Sequence, residues 1–256
     1  MEKSKTSEVL IDMHGVSVGA LRDQSQVVAE DINWRVITGE YWVVAGLQGA
    51  GKSDLLMMTG GLMPPLSGAY KLFGEEMPIF EEARLMTRLR MGLAFEMGQL
   101  FNQLTVAENI SLPLRYHQNL QEWDARERVQ PFLEAMELAP WADSTPGTLG
   151  RNWQKRVGLA RALVLKPELL LVDSPLTGLD LRHVSWWRGF LDELSRGHPL
   201  LNRQPVTLVV TAADFRPWKD RARQFAVLKN KRLTVLGDWS QLEKGSAELV
   251  QELLAT

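Results

Sequence analysis

One segment constrains this chain more than any other: Gly46-Leu47-Gln48-Gly49-Ala50-Gly51-Lys52-Ser53. A continuous apolar stretch, Tyr41-Trp42-Val43-Val44-Ala45, precedes it, and Leu55-Leu56-Met57-Met58 follows. Strand, glycine loop and helix in that order make a phosphate cradle rather than a chance turn. The glycines let successive backbone N–H groups turn inward around anionic oxygens. The first amides of the helix add a positive partial charge. Lys52 is placed to reach the β- and γ-phosphates of a nucleotide, and the Ser53 hydroxyl to ligate magnesium. The candidate nucleotide contacts are therefore Gly46, Gln48, Gly49, Ala50, Gly51, Lys52, Ser53 and the adjoining Asp54.

The rest of the chain limits what such a loop can belong to. A length of 256 residues suffices for one large α/β domain, or a core with an inserted subdomain. Net charge is −2 and no long basic run appears, which argues against a nucleic-acid partner. The absence of cysteine excludes disulfides and thiolate metal sites and fits a reducing cytoplasm. Met1 to Glu8 is polar and charged, without a signal pattern. No apolar run approaches the roughly 20 residues of a membrane helix. Direct membrane insertion is not expected, so any role at a membrane runs through a partner.

Residues from Val9 to Thr38 alternate like a small antiparallel sheet, with Thr38-Gly39 as the turn into the loop strand. Gly60-Gly61 and Pro64-Pro65 close the next helix. A short strand pair is expected around Gly68 to Phe73, and a buried strand at Leu93-Ala94-Phe95. The stretch from Glu96 to Gly150 reads as helical, with Pro140 and Pro146 as punctuation. A helix from Gln154 to Leu165 leads to the apolar strand Leu169-Leu170-Leu171-Val172, which ends in Asp173. Val206 to Thr211 is another such strand. A hairpin closes around Asn230-Lys231, and a last helix is expected from Trp239 to Leu254. Trp186-Trp187 reads as core packing on the helix after Asp180. Apolar strands with intervening helices imply a parallel sheet.

The motifs together resemble the ATP-binding subunit of an ABC transporter over nearly the whole chain. The loop is followed by Leu104-Thr105-Val106-Ala107-Glu108-Asn109-Ile110, then Gln154-Lys155-Arg156-Val157-Gly158-Leu159-Ala160-Arg161-Ala162-Leu163. Next come Leu170-Leu171-Val172-Asp173-Ser174-Pro175, Thr177-Gly178-Leu179-Asp180 and Asp220-Arg221. The resemblance implies an α/β P-loop NTPase fold: a RecA-like parallel core, an antiparallel β subdomain and an inserted helical subdomain. It implies one domain over 1–256, with the core at about 8–95 and 154–237, the helical subdomain at about 96–153, and a C-terminal helix at about 238–256. A weaker similarity, at Leu112-Pro113-Leu114-Arg115-Tyr116-His117-Gln118-Asn119-Leu120, points toward Mla-type lipid-transport ATPases.

Several family positions are changed. The glutamate that polarises the attacking water is Ser174, and a serine hydroxyl is a poor proton acceptor near neutral pH. The switch histidine aligns with Ala212. The glutamine that meets magnesium is Glu96, which together with Ser53 and Asp173 makes up the candidate metal set. The signature loop that covers the partner's γ-phosphate is Leu149-Gly150-Arg151-Asn152-Trp153, and the D-loop residue is Asp180. The adenine-stacking aromatic aligns with Val18, and Asp54 puts a carboxylate near the α-phosphate unless it turns away. No catalytic residue is intact, which implies weak hydrolysis.

The resemblance implies ATP and magnesium as ligands. It implies membrane permease subunits and a second ATP-binding subunit as partners, at the cytoplasmic face of the membrane. Two other readings fit the residues. One is a competent but divergent homodimer, with Glu96 as base or Arg151 as a phosphate clamp. The other is an ATP-dependent scaffold without a transporter.

Overall fold

The alternation near the start of the chain folds as a long hairpin. Strands β1 (Val9–Ala20) and β2 (Asp23–Ile37) pair antiparallel. Strand β3 (Tyr41–Ala45) then leaves for a second sheet. Helix α1 (Lys52–Thr59) follows, and β4 (Ser67–Leu72) returns to the free side of β1, with β5 (Glu75–Glu76) beside it. Ile11, Met13, Val16 and Val18 are all buried in the resulting layer. The computed structural model describes residues 8–77 and 85–244.

Side chains of β3 divide by parity. Tyr41, Val43 and Ala45 enter one hydrophobic core, and Trp42 and Val44 enter another. That is the period of two expected of a strand covered on both faces. Around β3 lie β6 (Met91–Ala94), β7 (Leu169–Val172), β8 (Thr207–Ala212), β9 (Gln224–Lys229) and β10 (Arg232–Gly237). Their order is β10-β9-β3-β8-β7-β6, parallel except for the β9–β10 hairpin. The expected strand at Leu93-Ala94-Phe95 ends at Ala94, and Leu93 is only half-buried. The reason is that β6 is the edge of the sheet among the described residues.

Helix α2 (Leu85–Leu89) precedes β6, and the expected helical stretch from Glu96 to Gly150 contains α3 (Val106–Gln118) and α4 (Glu122–Ala135). A capping box starts α3: Thr105 Oγ1 accepts from Glu108 N–H at 3.2 Å, and Glu108 accepts from Thr105 N–H at 2.6 Å. Those bonds hold the Glu108 carboxyl below its usual range. The fully buried Asn109 organises the preceding loop. Its side chain accepts from Phe101 N–H and donates to the carbonyls of Phe101, Leu104 and Thr105.

Helix α5 spans Arg151–Leu163, three residues earlier at its start than the sequence pattern suggests. Gly150 is extended at its N-cap, and its carbonyl accepts from Trp153 and Gln154. Lys166, at φ +57°, and Pro167 follow the helix and prevent its continuation. Helix α5 packs on both α3 and β6, so the boundary expected near residue 153 falls inside it. Ile110 and Phe132 share one core with Val157, Val172 and Val210. Helices α6 (Leu181–Arg196) and α7 (Trp239–Lys244) are the last two among the described residues, and the expected continuation of α7 to Leu254 lies outside them. Among the described residues no helix is long and apolar enough to cross a membrane.

The loop after β6 is fastened to α5 by contact between two glycines. A Cβ on Gly158 would lie 2.7 Å from the Gly98 Cα. Arg161 donates to the carbonyls of Gly98 and Gln99, both at 2.8 Å. Gly158→Ala is therefore expected to lower stability by about 1–3 kcal/mol, the usual cost of overpacking, although alanine favours helix. Denaturant melts measure this, and an unchanged midpoint would show that the loop simply moves aside.

Candidate functional site

The glycine loop sits where the sheet makes such a loop useful, between the C-terminal end of β3 and the start of α1. Gly51 caps α1 at φ +93°, a conformation that a larger residue adopts only under strain. Lys52 turns back over its own loop and donates to the carbonyls of Gly46 (2.6 Å) and Leu47 (2.9 Å). Burial lowers the pKa of this ammonium, while Asp173 and Glu96 oppose that shift. Asp54 turns away from the loop and accepts from Leu21 N–H at 2.8 Å, tying α1 to the β1–β2 turn.

A cavity of about 270 Å³ opens beside the loop. Gln48, Gly49, Gly51, Lys52, Ser53 and Asp54 form one wall, and Glu96, Ser174, Thr177 and Ala213 face them. Asp173 follows β7 and is buried. Its Oδ1 accepts from the Thr211 hydroxyl at 2.7 Å and from the Ser174 hydroxyl at 3.3 Å. Ser174 N–H donates to Thr211 Oγ1 at 2.9 Å. Ser174 itself stands at φ +43°, left-handed backbone that a non-glycine residue adopts only when its surroundings hold it there.

Two of the changed family positions are buried. Val18 is fully buried in the core under the first sheet, so it faces no ligand. Its strand position points inward, and exposure resumes only at the turn residue Leu21. Ala212 is the last residue of β8 and is buried, while Ala213 lines the cavity. Neither alanine carries an imidazole.

The signature-like residues fold onto their own chain. Leu149 is buried, and Gly150 and Arg151 are exposed. Asn152 Nδ2 lies 3.4 Å from His183 Nδ1, and that ring nitrogen lies 2.9 Å from Asp180. Asp180 also caps α6 through His183 N–H, and these bonds lower its pKa. Trp153 packs against Trp141 at 4.4 Å and His183 at 5.6 Å. The Arg156 guanidinium lies over Trp153 at 4.5 Å and Trp186 at 3.7 Å and pairs with Glu137.

Lys155 and Thr211 escaped the sequence reading. Lys155 stood between Gln154 and Arg156 in a polar stretch that gave no sign of its burial, and Thr211 looked like an ordinary strand residue.

A magnesium nucleotide fits this donor set. Lys52, Ser53 and Glu96 share one cavity, and Asp173 lies within electrostatic reach of Lys52. The described residues contain no cluster of three or more His, Cys, Asp and Glu able to hold a metal alone. Such a site suits a magnesium ion carried largely by phosphate oxygens and water.

The sequence profile of the ABC transporter family matches residues 29–177, more than half the chain. The chain belongs to the ABC transporter family. Among ABC relatives, the intermembrane phospholipid transport system ATP-binding protein MlaF of Escherichia coli K12 is 29% identical over 255 residues, covering 99% of this chain and 91% of that one. The probable sulfate/thiosulfate import ATP-binding protein CysA of Chlorella vulgaris is 31% identical over 211 residues, 82% of this chain and 85% of that one. Solved ABC structures share the fold. The bacterial cassette MJ0796, in dimeric form, gives a TM-score of 0.76 at 24% identity, covering 88% of this chain and 96% of that one. CbiO1 of Clostridium perfringens gives 0.75 at 22%, covering 97% and 95%.

Proposed function

We propose that this chain is the ATP-binding subunit of an ABC transporter, and that it holds Mg-ATP but hydrolyses it poorly. The observation that carries the reading is the make-up of one cavity. Lys52 and Ser53 line it together with Ser174 and Ala213, which offer a hydroxyl and a methyl. Lys52 and the amides at the start of α1 hold phosphate, while Ser53, Asp173 and Glu96 orient the metal. Magnesium, when bound, neutralises phosphate charge and orients the triphosphate. Ser174 offers no base, and its hydroxyl is engaged by Asp173 and Thr211.

Nucleotide then acts as a clamp between this subunit and a second ATP-binding subunit. The complex sits at the cytoplasmic face of a membrane, beneath permease subunits. Lipid cargo is favoured by the full-length similarity to the phospholipid-system protein MlaF and by the Leu112 to Leu120 segment.

Calorimetry with Mg-ATP tests the central claim. Wild type is expected to bind, and Lys52→Ala to bind at least about tenfold more weakly, since a charged hydrogen bond contributes about 1.5–3 kcal/mol. Equal affinities would refute the site. Co-purification of membrane permease subunits with the tagged chain separates the transporter subunit from a free-standing scaffold.

A further inference from the structure

Lys155 is a buried cation with no role in the chemistry above. It is 4% exposed. Its Nζ donates to the carbonyls of Thr177 (2.7 Å), Pro175 (3.3 Å) and Ser174 (3.4 Å). Its hydrogen-bond partners are thus three carbonyl oxygens rather than a carboxylate. Burying an ammonium on such partners alone is unfavourable, and a neutral donor such as glutamine would serve the same carbonyls. The charge therefore calls for a reason beyond tethering the loop.

The place of the charge supplies one. The carbonyls belong to the loop whose Ser174 and Thr177 line the cavity with Lys52 and Glu96. Glu96 and Asp173 are the carboxylates whose field reaches the Lys155 ammonium, and the same two reach Lys52. Two lysines from different helices, α1 and α5, thus stand around two carboxylates. Glu96 occupies a position where the family resemblance implies a neutral glutamine, so it adds a negative charge beside a triphosphate.

We propose that Lys155 is a positioning residue for the phosphates. Its charge offsets that of Glu96 from behind the 174–177 loop, and so lets the cavity accept Mg-ATP while carrying an additional carboxylate. The proposal rests on the nucleotide-binding reading above.

A double-mutant cycle read by calorimetry with Mg-ATP tests it on the full chain. Lys155→Gln is expected to weaken affinity about tenfold, within the range of coupling between neighbouring charged groups. Glu96→Gln is expected to tighten binding only about twofold, and Glu96→Gln with Lys155→Gln to bind close to wild type, so that Lys155→Gln costs about twofold there instead of tenfold. Lys155→Arg, which keeps the charge, is expected to stay within about threefold of wild type. An equal loss from Lys155→Gln in the wild-type and Glu96→Gln backgrounds would show a tether only and overturn the proposal. So would a Lys155→Arg variant that binds worse than a folded Lys155→Gln. A thermal melt of each variant checks that the comparison is between folded proteins. If Lys155→Gln does not fold, the arginine variant and the Glu96→Gln single variant decide. Arginine at wild-type affinity together with tighter binding in Glu96→Gln supports the offset, and any other pair of results overturns it. No Mg-ATP binding in wild type or any variant overturns the nucleotide reading itself, a result distinct from failure of the cycle.

Discussion

Purified protein with magnesium and ATP in excess is expected to release phosphate well below about 1 s⁻¹, the lower range of ordinary enzymes. Ser174→Glu alone is expected to leave it there. A general base contributes roughly 10²–10⁴ in rate, so a restored carboxylate looks like the obvious rescue. The geometry argues otherwise. Residue 174 sits at φ +43°, and its N–H is held by Thr211, so a glutamate must fit a backbone set for a small side chain. No imidazole faces it, because Ala213 lines the cavity and Ala212 is buried. In a homodimer the covering segment comes from the partner copy, yet Asn152 and Trp153 are engaged by His183 and Trp141 of their own chain. Residues that act as a unit in catalysis do not contribute additively. Ser174→Glu combined with histidine at 212 or 213 and a rebuilt 149–153 segment is expected to exceed the single change by far. Phosphate release measured on wild type and these variants decides. Wild-type turnover of about 1 s⁻¹ or faster would sink the impaired-site reading and favour the divergent, competent homodimer.

The second large effect concerns the tryptophan pair. Trp187→Ala is expected to cost about 3–5 kcal/mol of stability, a large share of the 5–15 kcal/mol typical of a folded domain. Trp187 is 1% exposed and belongs to the core that includes Phe190, Leu191 and Val210. Neighbouring side chains cannot fill the volume that an indole leaves. Its Nε1 is buried without a partner among the described residues, so Trp187→Phe removes an unsatisfied donor along with some volume and is expected to cost much less. Trp186, its neighbour, is partly buried. It stacks on Phe190 at 4.9 Å and supports Arg156, so Trp186→Ala is expected to be milder. Urea midpoints of the three variants measure the order, and an alanine variant at position 187 as stable as wild type would refute the packing account.

How much was legible in the residues depends on the range of the interactions involved. The loop strand, the glycine loop and α1 were readable because a run of apolar residues, a turn and a helix start are local signals. The apolar strands ending at Val172 and Thr211 were readable for the same reason, and β8 runs only one residue further. Boundaries slipped where neighbours decide them. Arg151, Asn152 and Trp153 read as loop, yet they form the first turn of α5, closed by the Gly150 carbonyl and held by contacts to Trp141 and His183. Val18 aligned with the family's adenine-stacking position, and only the packed structure shows that it is buried in the core.

By itself, the order of apolar runs, glycines and charges determined the fold class, the antiparallel entry sheet and the family resemblance, since each rests on periodicity or on spacing along the chain. Tertiary structure decided which groups share the cavity. Glu96 follows β6, Ser174 follows β7 and Ala213 follows β8, and parallel strands bring these chain-distant ends to one edge of the sheet. It also decided that Asp54 turns to Leu21, that Thr211 binds Asp173 and that Lys155 lies beneath the 174–177 loop. Those contacts depend on side-chain direction and burial, which arise only when sheets and helices pack, so no local pattern carries them.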